Sequence, residues 1–227
     1  MKLIDAWINH PSALHNLEKE KRVFILASGP SILNANLSLL KNEIVIGMNA
    51  STMLEGKFDF TSKYYVISDA RFINTPEKRP WATEKLSSKT HRVIRADLRK
   101  FDESALENRT TYVMPLSRDG FSLNLSAGFY YGCTTTMLAI QLSWHLGSRE
   151  VYLLGCDLRY PEENPRFYKE SSPQLEDAFT SVQLSNIVRA ATIFEKDGGC
   201  IVNCSKKSFL QPYLPYKQYE SIFEQRR

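Results

Sequence analysis

The sequence predicts an α/β protein with a doubly wound, mostly parallel Rossmann-like sheet, helices on both faces of the sheet, and a small lid. Short runs rich in β-branched residues alternate with helical stretches along most of the 227-residue chain, as in repeated strand–helix units. Several of these runs are apolar almost throughout, as expected for parallel strands that are covered on both faces. A chain of this length suits one such domain.

Seven segments carry the strand pattern, and helical stretches lie between them. The predicted strands are residues 22–27, 43–48, 63–68, 91–96, 111–115, 150–155 and 200–203. The predicted helices are roughly residues 30–40, 80–88, 134–146 and 176–197, and the last ends at a Gly-Gly stop. We therefore divide the chain into an N-terminal helical extension (1–20), a Rossmann-like domain (21–210) with a lid within 156–177, and a C-terminal tail (211–227).

Composition and charge argue against several classes of function. The formal net charge is +4, and the chain lacks the dense stripe of lysine and arginine that binds nucleic acid. No stretch approaches the roughly 18 apolar residues of a membrane span, and the N-terminal segment is too polar for a signal peptide. The four cysteines lack CxxC spacing, which favours reduced thiols and a cytoplasmic protein.

The first predicted strand runs into the turn Ser28-Gly29-Pro30-Ser31 and then into a helix. Gly29 permits close backbone approach, Pro30 suits the first position of a helix, and either serine can cap the free amide groups. Such a turn can bind an anion with its backbone N–H groups. It lacks the lysine of a Walker A loop and the glycines of the dinucleotide fingerprint. A plain strand-to-helix turn would look the same, so both interpretations stay open.

Two further strand ends carry polar residues. Asn49 follows the second strand and Asp69 follows the third, so both face the crevice in which open α/β sheets bind ligands. Asn49 can instead cap a helix. Asp69 could contact a ribose hydroxyl, a metal or the acceptor of a group transfer, and a simple turn aspartate would look the same.

The segment 132–160 is the most informative part of the sequence. Three threonines, Thr134–Thr136, open a helix that is apolar nearly all round and is therefore predicted to be buried. One helix cap accounts for one threonine, so three in a row suggest a pocket. The next strand ends in Gly155-Cys156-Asp157, where the glycine lets a flat group lie against the strand end and Asp157 sits at the edge of the crevice. We interpret His145, in mid-helix, as a packed histidine rather than a catalyst.

In this order the motifs resemble a known superfamily, which contains the glycosyltransferase family 42 sialyltransferases, the motility-associated flagellin glycosyltransferases and the 6-hydroxymethylpterin diphosphokinase-like proteins. The similarity covers roughly residues 21 to 210 and does not identify the donor. It implies that this region is a nucleotide-sugar-binding domain. The residues that carry it are Gly29-Pro30-Ser31, Asn49, the threonine-rich helix start, Leu146-Gly147, Glu150-Val151-Tyr152-Leu153, Gly155 and Asp157.

Position by position, the resemblance implies a donor site. Ser28, Gly29 and Asn49 would contact the nucleotide phosphate and ribose, and Ser28 replaces an asparagine of the sialyltransferases. Thr134 and Thr135 fall where those enzymes hold the cytidine and the carboxylate of the donor sugar.

The resemblance extends into the next strand and the lid. Gly155 and Asp157 fall where the sialyltransferases hold the nucleotide. Two lid tyrosines of those enzymes engage the phosphate, and here Arg159 stands near the first and Tyr168 near the second. The grip on the phosphate would therefore be partly cationic.

The catalytic base departs from the family pattern. The sialyltransferases place a histidine before the long C-terminal helix, and the comparable stretch here, residues 175–186, contains none. The acceptor base would have to be a carboxylate. The candidates are Asp69, which we place first because it ends the strand beside the proposed phosphate turn, then Asp157, and also Glu176 and Asp177.

Three functions from different classes follow. The first is an inverting, metal-independent glycosyltransferase that moves an acidic, nonulosonate-type sugar from a CMP donor to a surface glycan or glycolipid, as in lipopolysaccharide biosynthesis. It needs no cofactor beyond the CMP-sugar substrate, and the lack of a D-x-D motif fits a reaction without metal. The second is an ATP- and Mg²⁺-dependent pyrophosphokinase that uses carboxylates such as Asp69 and Asp157. The third is an inactive binding protein of glycan assembly, which the missing histidine favours.

The aromatic and basic tail bears on location. It predicts either peripheral contact with the inner membrane, where acceptors lie, or a docked C-terminal helix. A homo-oligomer is compatible with the sequence, and nucleic-acid partners are not expected.

Overall fold

The computed structural model describes residues 9–103, 106, 109–161, 163, 165–171 and 178–224. Its strands are β1 (Arg22–Leu26), β2 (Ile44–Met48), β3 (Tyr64–Ile67), β4 (His91–Arg95), β5 (Thr110–Val113), β6 (Glu150–Leu154) and β7 (Cys200–Asn203). They form one sheet in the order β5-β4-β3-β2-β1-β6-β7, and all neighbouring pairs are parallel. The predicted doubly wound α/β fold is confirmed, with every predicted strand present.

Six α-helices occur in the described residues. They are α1 (Thr52–Phe58), α2 (Arg71–Asn74), α3 (Arg79–Ala82), α4 (Thr135–His145), α5 (Thr180–Lys196) and α6 (Ser221–Glu224). Helix α4 confirms the prediction for 134–146. Helix α5 confirms the prediction for 176–197 from Thr180 onward.

The helix predicted over residues 30–40 is wrong. Two 3₁₀ helices, Pro30–Asn34 and Leu37–Asn42, take its place, and Ala35 between them is extended with ψ 140°. The Asn36 side chain accepts a hydrogen bond from the Ser38 hydroxyl at 2.7 Å, and its backbone N–H donates to Glu220 of the tail at 3.0 Å. These side-chain bonds compete with a continuous α-helix.

Two more predicted helices are shorter than expected. The segment predicted as 80–88 is helical only in α3, because Thr83 leaves the helical region with ψ −88°. The extension predicted as a helix over 1–20 contains, in its described part, the 3₁₀ helix Pro11–Leu14 followed by turns. Asn16 and Glu20 there have φ values of 61° and 64°, a left-handed conformation that an α-helix does not accommodate.

The sheet is buried on both faces. Val23 and Ile25 of β1 point into the layer formed by α4 and α5, whereas Phe24 and Leu26 point to the opposite layer, as the two-residue period of a strand requires. Helix α4 is apolar on nearly every side and is buried along its length. The strands are therefore held in a fixed register between two layers, and their carboxyl ends form one rigid edge.

The chain order creates a switch point in the sheet. Strands β1 to β5 extend away from β1 on one side, and the chain then returns to place β6 on the other side of β1. In open α/β sheets, ligands bind outside the carboxyl ends of the strands at such a point. The carboxyl ends of β1 and β6 therefore mark the place to look for a site.

The C-terminal tail docks on the sheet domain, which is the second of the two arrangements predicted for it. Tyr219 and Ile222 are buried against Phe24 in the core, and Arg22 of β1 donates a hydrogen bond to the Ile222 carbonyl at 3.3 Å. None of the helices in the described ranges is both long and apolar enough to cross a membrane. The four cysteines form no disulfide within the described residues.

Candidate functional site

A polar cavity of about 170 Å³ lies at the carboxyl ends of β1, β2, β3 and β6, beside the N-terminus of α4. We refer to it as the cavity. The predicted site residues come from distant parts of the chain, and all ten line it: Ser28, Gly29, Asn49, Asp69, Thr134, Thr135, Gly155, Asp157, Arg159 and Tyr168. The remaining base candidates, Glu176 and Asp177, lie outside the described residues.

The first turn is closed by protein groups. The Gly29 N–H donates to the Gly155 carbonyl at 2.7 Å, and the Ser31 N–H donates to the Asp157 carboxylate at 3.0 Å. The Ser31 hydroxyl donates to the same carboxylate, and Pro30 has no N–H. Of the two interpretations left open for this turn, these bonds favour the plain strand-to-helix turn for the amides of Gly29 and Ser31, because Asp157 itself occupies the place of an anion.

The two glycines of the site serve this internal contact. A Cβ atom on Gly29 would lie 2.5 Å from the Asp157 Cγ and 2.6 Å from the Gly155 carbonyl oxygen. Gly155 has φ 66°, and a Cβ there would lie 3.0 Å from the Ala27 carbonyl oxygen. Both glycines thus let β1 and β6 approach each other, and the space expected for a ligand beside them is filled by protein atoms.

Three residues that line the cavity have a left-handed backbone. Asn49, Cys133 and Leu158 line the cavity and have φ values of 54°, 54° and 52°. Such left-handed backbone costs roughly 1–2 kcal/mol for a residue other than glycine. Tyr65 donates a hydrogen bond to the Asn49 carbonyl, and Gln183 of α5 donates to the Cys133 carbonyl at 2.9 Å. Strain that neighbouring groups hold in place is typical of functional sites.

The threonines of α4 have protein partners as well as the cavity. Thr134 caps the helix by accepting the Thr136 N–H at 3.3 Å, and the Thr135 hydroxyl bonds that of Ser68 at 2.8 Å. All three threonines line the cavity. Thr134 also caps the helix, and the hydroxyl groups of Thr135 and Thr136 are not needed for capping. The positive end of the α4 dipole lies at the same place, which favours an anion there.

Asp69 is held by an arginine that sequence analysis did not single out. The Arg71 backbone N–H, Nε and Nη2 donate to the Asp69 carboxylate at 2.9, 2.9 and 2.6 Å. Burial by itself would raise the pKa of Asp69, but the hydrogen bonds from Arg71 outweigh burial and hold the pKa below the ordinary value of 3.8. Asp69 is therefore ionised at neutral pH.

Three arginines line the cavity: Arg71, Arg159 and Arg166. Arg166 lies 3.9 Å from Glu170 and over the Tyr160 ring, with its Cζ 4.7 Å from the ring centroid. Of the three, only Arg159 was predicted as a site residue. Arg71 lies four residues after the end of β3 at Ile67, and this position beside a strand end could have predicted it.

The described part of the lid closes over the cavity. The Phe167 N–H donates to the Ser28 carbonyl at 3.1 Å, and the Tyr168 ring packs edge-on against Trp81 at 5.2 Å. Lys78 and Glu170 form an ion pair whose side chains are only 8% and 5% exposed. Burial raises the pKa of the Tyr168 phenol, so Tyr168 is a neutral hydrogen-bond donor at the cavity.

A second, wider depression of about 1250 Å³ lies on the other side of the segment 157–160. We refer to it as the groove. Its lining comes from the first turn, the segment 157–161, the loop after β7 and the tail. Asp157, Leu158, Arg159 and Tyr160 line both the groove and the cavity, so this segment is a shared wall.

None of the described residues that line the two spaces is a histidine. His145 accepts the Leu125 N–H at Nδ1 (3.3 Å) and bonds the Pro11 carbonyl through Nε2 at 2.8 Å, which confirms its packed role. Burial lowers the pKa of His145. Within the described ranges, His, Cys, Asp and Glu side chains do not form a group of three that could hold a metal ion.

The fold is similar to that of two solved glycosyltransferases. The match to the MAf glycosyltransferase from Magnetospirillum magneticum AMB-1 has a TM-score of 0.60 and 14% identity, and it covers 96% of this chain but only 38% of that protein. The match to the sialyltransferase CstII from Campylobacter jejuni, solved with the substrate analogue cytidine-5'-monophosphate, has a TM-score of 0.55 and 14% identity, and it covers 87% of this chain and 85% of that one.

Sequence comparison adds no further assignment. No protein-family model matches the chain, and no curated protein matches it in sequence. The chain spans well under half the length of the MAf glycosyltransferase. The structural likeness establishes that this chain has a glycosyltransferase-like α/β fold.

Proposed function

We propose that this protein is a glycosyltransferase that moves an acidic, nonulosonate-type sugar from a CMP donor to a glycan, with inversion and without a metal ion. The single observation that carries the proposal is the cavity, in which arginines, hydroxyl groups and the positive end of α4 surround one small polar space. An acidic sugar joined to a nucleoside monophosphate presents a carboxylate and a phosphate close together. Both anions match such a lining.

The residues that line the cavity have distinct roles in the proposed transfer reaction. The acceptor hydroxyl oxygen bonds to the anomeric carbon while the bond from that carbon to the phosphate oxygen breaks, and CMP leaves with the electron pair. In this proposal Arg71, Arg159 and Arg166, which line the cavity, stabilise the charge that develops on the leaving phosphate. The hydroxyl proton passes to a base, which is a carboxylate in this proposal.

Asp69 is the better placed of the two described base candidates. Its side chain is 25% exposed and is ionised, so it can accept a proton from a hydroxyl in the cavity. Arg71 lowers its basicity, which limits the rate gain. Both carboxylates are hydrogen-bonded, but Asp157 is only 6% exposed and is held by Ser31 of the first turn, so Asp157 acts by positioning that turn.

The closed lid limits the volume of the cavity. A space of about 170 Å³ is smaller than the roughly 300–1,000 Å³ of ordinary ligand pockets. In this proposal, residues 165–171 move outward to admit the donor and then cover its phosphate, with Tyr168 as a hydrogen-bond donor. Such closure excludes water from the transfer.

A nucleotide screen tests the proposal. CMP, UDP, GDP and ATP are compared by thermal shift with and without EDTA, and CMP release from a CMP-nonulosonate is then followed with time. We expect the largest stabilisation from CMP and the same stabilisation in EDTA. CMP at a hundred times its Kd should add about 2.7 kcal/mol to the free energy of unfolding.

The same screen distinguishes the alternatives. Binding of ATP only with Mg²⁺ would favour the pyrophosphokinase, in which Asp69 and Asp157 would have to leave Arg71 and Ser31 to hold the metal. CMP binding without CMP release over hours, with a range of acceptors, would favour the inactive binding protein.

A further inference from the structure

The groove carries two exposed lysines without ion-pair partners. Lys206 and Lys207 follow β7, line the groove and are solvent-exposed. No carboxylate in the described parts of the chain pairs with either. The described lining also contains Arg159, so its three cations outnumber its two carboxylates, Asp157 and Glu220. The groove therefore attracts an anion.

Aromatic rings flank the lysines. Phe209 and Tyr216 are 41% and 40% exposed, and both line the groove. The Arg159 guanidinium lies over the Phe209 ring, with its Cζ 4.4 Å from the centroid. Flat apolar faces beside side-chain amides, here Asn34 and Gln218, suit a saccharide, which presents C–H faces and a rim of hydroxyl groups.

One buried polar group of the lining lacks a partner. Tyr219 is 3% exposed, and its hydroxyl has no hydrogen-bond partner among the described residues. Burial of such a group without a partner costs about 1–3 kcal/mol. Tyr219 lines the groove, so a ligand hydroxyl or carboxylate that displaces the side chains covering the phenol oxygen would supply the missing bond.

We propose that the groove is the acceptor site and that it binds an acidic saccharide. Its cations select the acid group, and its aromatic rings pack against the sugar. The groove and the cavity adjoin along the segment 157–160, so the end of the acceptor reaches the donor past the edge of this segment. This inference rests on the proposed function, since an acceptor has meaning only for a transferase.

Binding of trigalacturonate, measured by calorimetry without CMP, tests the inference. Its fully methyl-esterified form is the neutral matched ligand, and inorganic phosphate is the simple anion. We expect trigalacturonate to bind and the ester to bind at least tenfold more weakly. The variant Lys206→Ala/Lys207→Ala should weaken trigalacturonate binding about tenfold, whereas Lys85→Ala/Lys89→Ala, which removes two exposed lysines elsewhere, should not change it.

A second variant tests the unpartnered hydroxyl. Tyr219→Phe should weaken trigalacturonate binding about threefold to tenfold without lowering the free energy of unfolding, because the hydroxyl gives up no protein bond. Tyr213→Phe, an exposed tyrosine outside the groove lining, should leave both quantities unchanged.

The inference is overturned if trigalacturonate does not bind, if the ester binds equally well, or if full affinity remains after removal of both lysines. Inorganic phosphate that binds as tightly as trigalacturonate would also overturn it, because the site would then be for a small anion. CMP binding is measured separately in the same variants. Its failure contradicts the donor proposal alone, and its success with no saccharide binding contradicts the groove alone.

Discussion

The cavity and the groove share one wall and differ in almost everything else. The cavity is small, and its polar groups are bonded to one another: Asn49 donates to Ser28 at 2.8 Å, and Arg71 clamps Asp69. The groove is about seven times larger, and its lysines and one buried hydroxyl have no described partner. A pre-bonded space holds a ligand in one orientation, whereas an open one tolerates variation. The contrast fits one defined donor and a larger acceptor.

The loss of the Asp69 carboxylate should have the largest effect on transfer. Asp69→Asn keeps the shape of the side chain and removes its basic oxygen, so we expect the transfer rate to fall about 10²–10⁴-fold with a much smaller change in CMP affinity. Steady-state kinetics and calorimetry measure the two quantities. Asp97→Asn is the matched control, because Asp97 also pairs with an arginine two residues away, Arg95, and lines neither space. Transfer at the wild-type rate in Asp69→Asn would eliminate this base.

The ion pair of the lid should have the next largest effect. Lys78→Met removes the nearer of the two cations beside the buried Glu170 carboxylate and leaves only Arg166 at 3.9 Å, at a cost of up to about 3–5 kcal/mol. That is enough to release the lid, so hydrogen exchange at the Phe167 amide, which binds Ser28 in the closed form, should become at least about 100-fold faster.

An exposed pair gives the control for the lid. Lys41 and Asp59 are 63% and 85% exposed, so Lys41→Met should cost less than about 1 kcal/mol and leave the Phe167 amide unchanged. If Lys78→Met also leaves that amide unchanged, the ion pair does not hold the lid.

The closed first turn predicts a smaller loss of stability. In Gly29→Ala the new methyl group meets the Asp157 carboxylate, so we expect the free energy of unfolding to fall by about 1–3 kcal/mol. Gly56→Ala is the matched control, since a Cβ there meets nothing within 4 Å and alanine favours the helix by up to about 1 kcal/mol. Urea unfolding measures both. Equal stability of the two variants would show that a methyl group at position 29 is accommodated without a clash.

The pH profile should shift by the smallest amount. The pKa of Asp69 lies below 3.8 in the folded protein because of Arg71. Activity that depends on ionised Asp69 therefore persists as the pH falls, until the pH drops below this lowered pKa. In Arg71→Gln the hydrogen bonds weaken and burial remains, so the pKa of Asp69 rises and the acid limb of the rate profile moves to higher pH. If Arg71→Gln is active and the acid limb of its rate profile does not move, the limb does not report the ionisation of Asp69.

The cavity could be predicted from sequence more fully than the groove. Each cavity residue follows a strand or begins a helix, and a parallel sheet brings all strand ends to one edge, so residues as distant as Ser28 and Asp157 could be assigned together. The groove depends on how the tail packs on β1 and β7, for which Lys206 and Tyr219 give no periodic signal. The sequence of the tail predicts its aromatic and basic character, but it does not predict where the tail packs on the domain.

Details of the cavity were also beyond the sequence. The contact between Ser31 and Asp157 joins residues 126 positions apart, and a helix cap is normally sought nearby in the chain. The left-handed backbone of Cys133 and Leu158 has no sequence signature, because these residue types rarely adopt it. The two 3₁₀ helices at 30–42 were missed because apolar spacing there suits an α-helix, whereas side-chain bonds of Asn36 oppose one.

The central claim is that the nucleotide binds in the cavity and not in the groove. One asparagine belongs to each space: Asn49 lines the cavity and Asn34 lines the groove. Asn49→Gly removes the side chain and accommodates φ 54° without strain, and Asn34→Gly removes the same side chain on the other side of the wall. CMP titration by calorimetry should show about tenfold weaker binding in Asn49→Gly and unchanged binding in Asn34→Gly. The reverse result, with CMP affinity lost only in Asn34→Gly, would place the nucleotide in the groove and contradict the account.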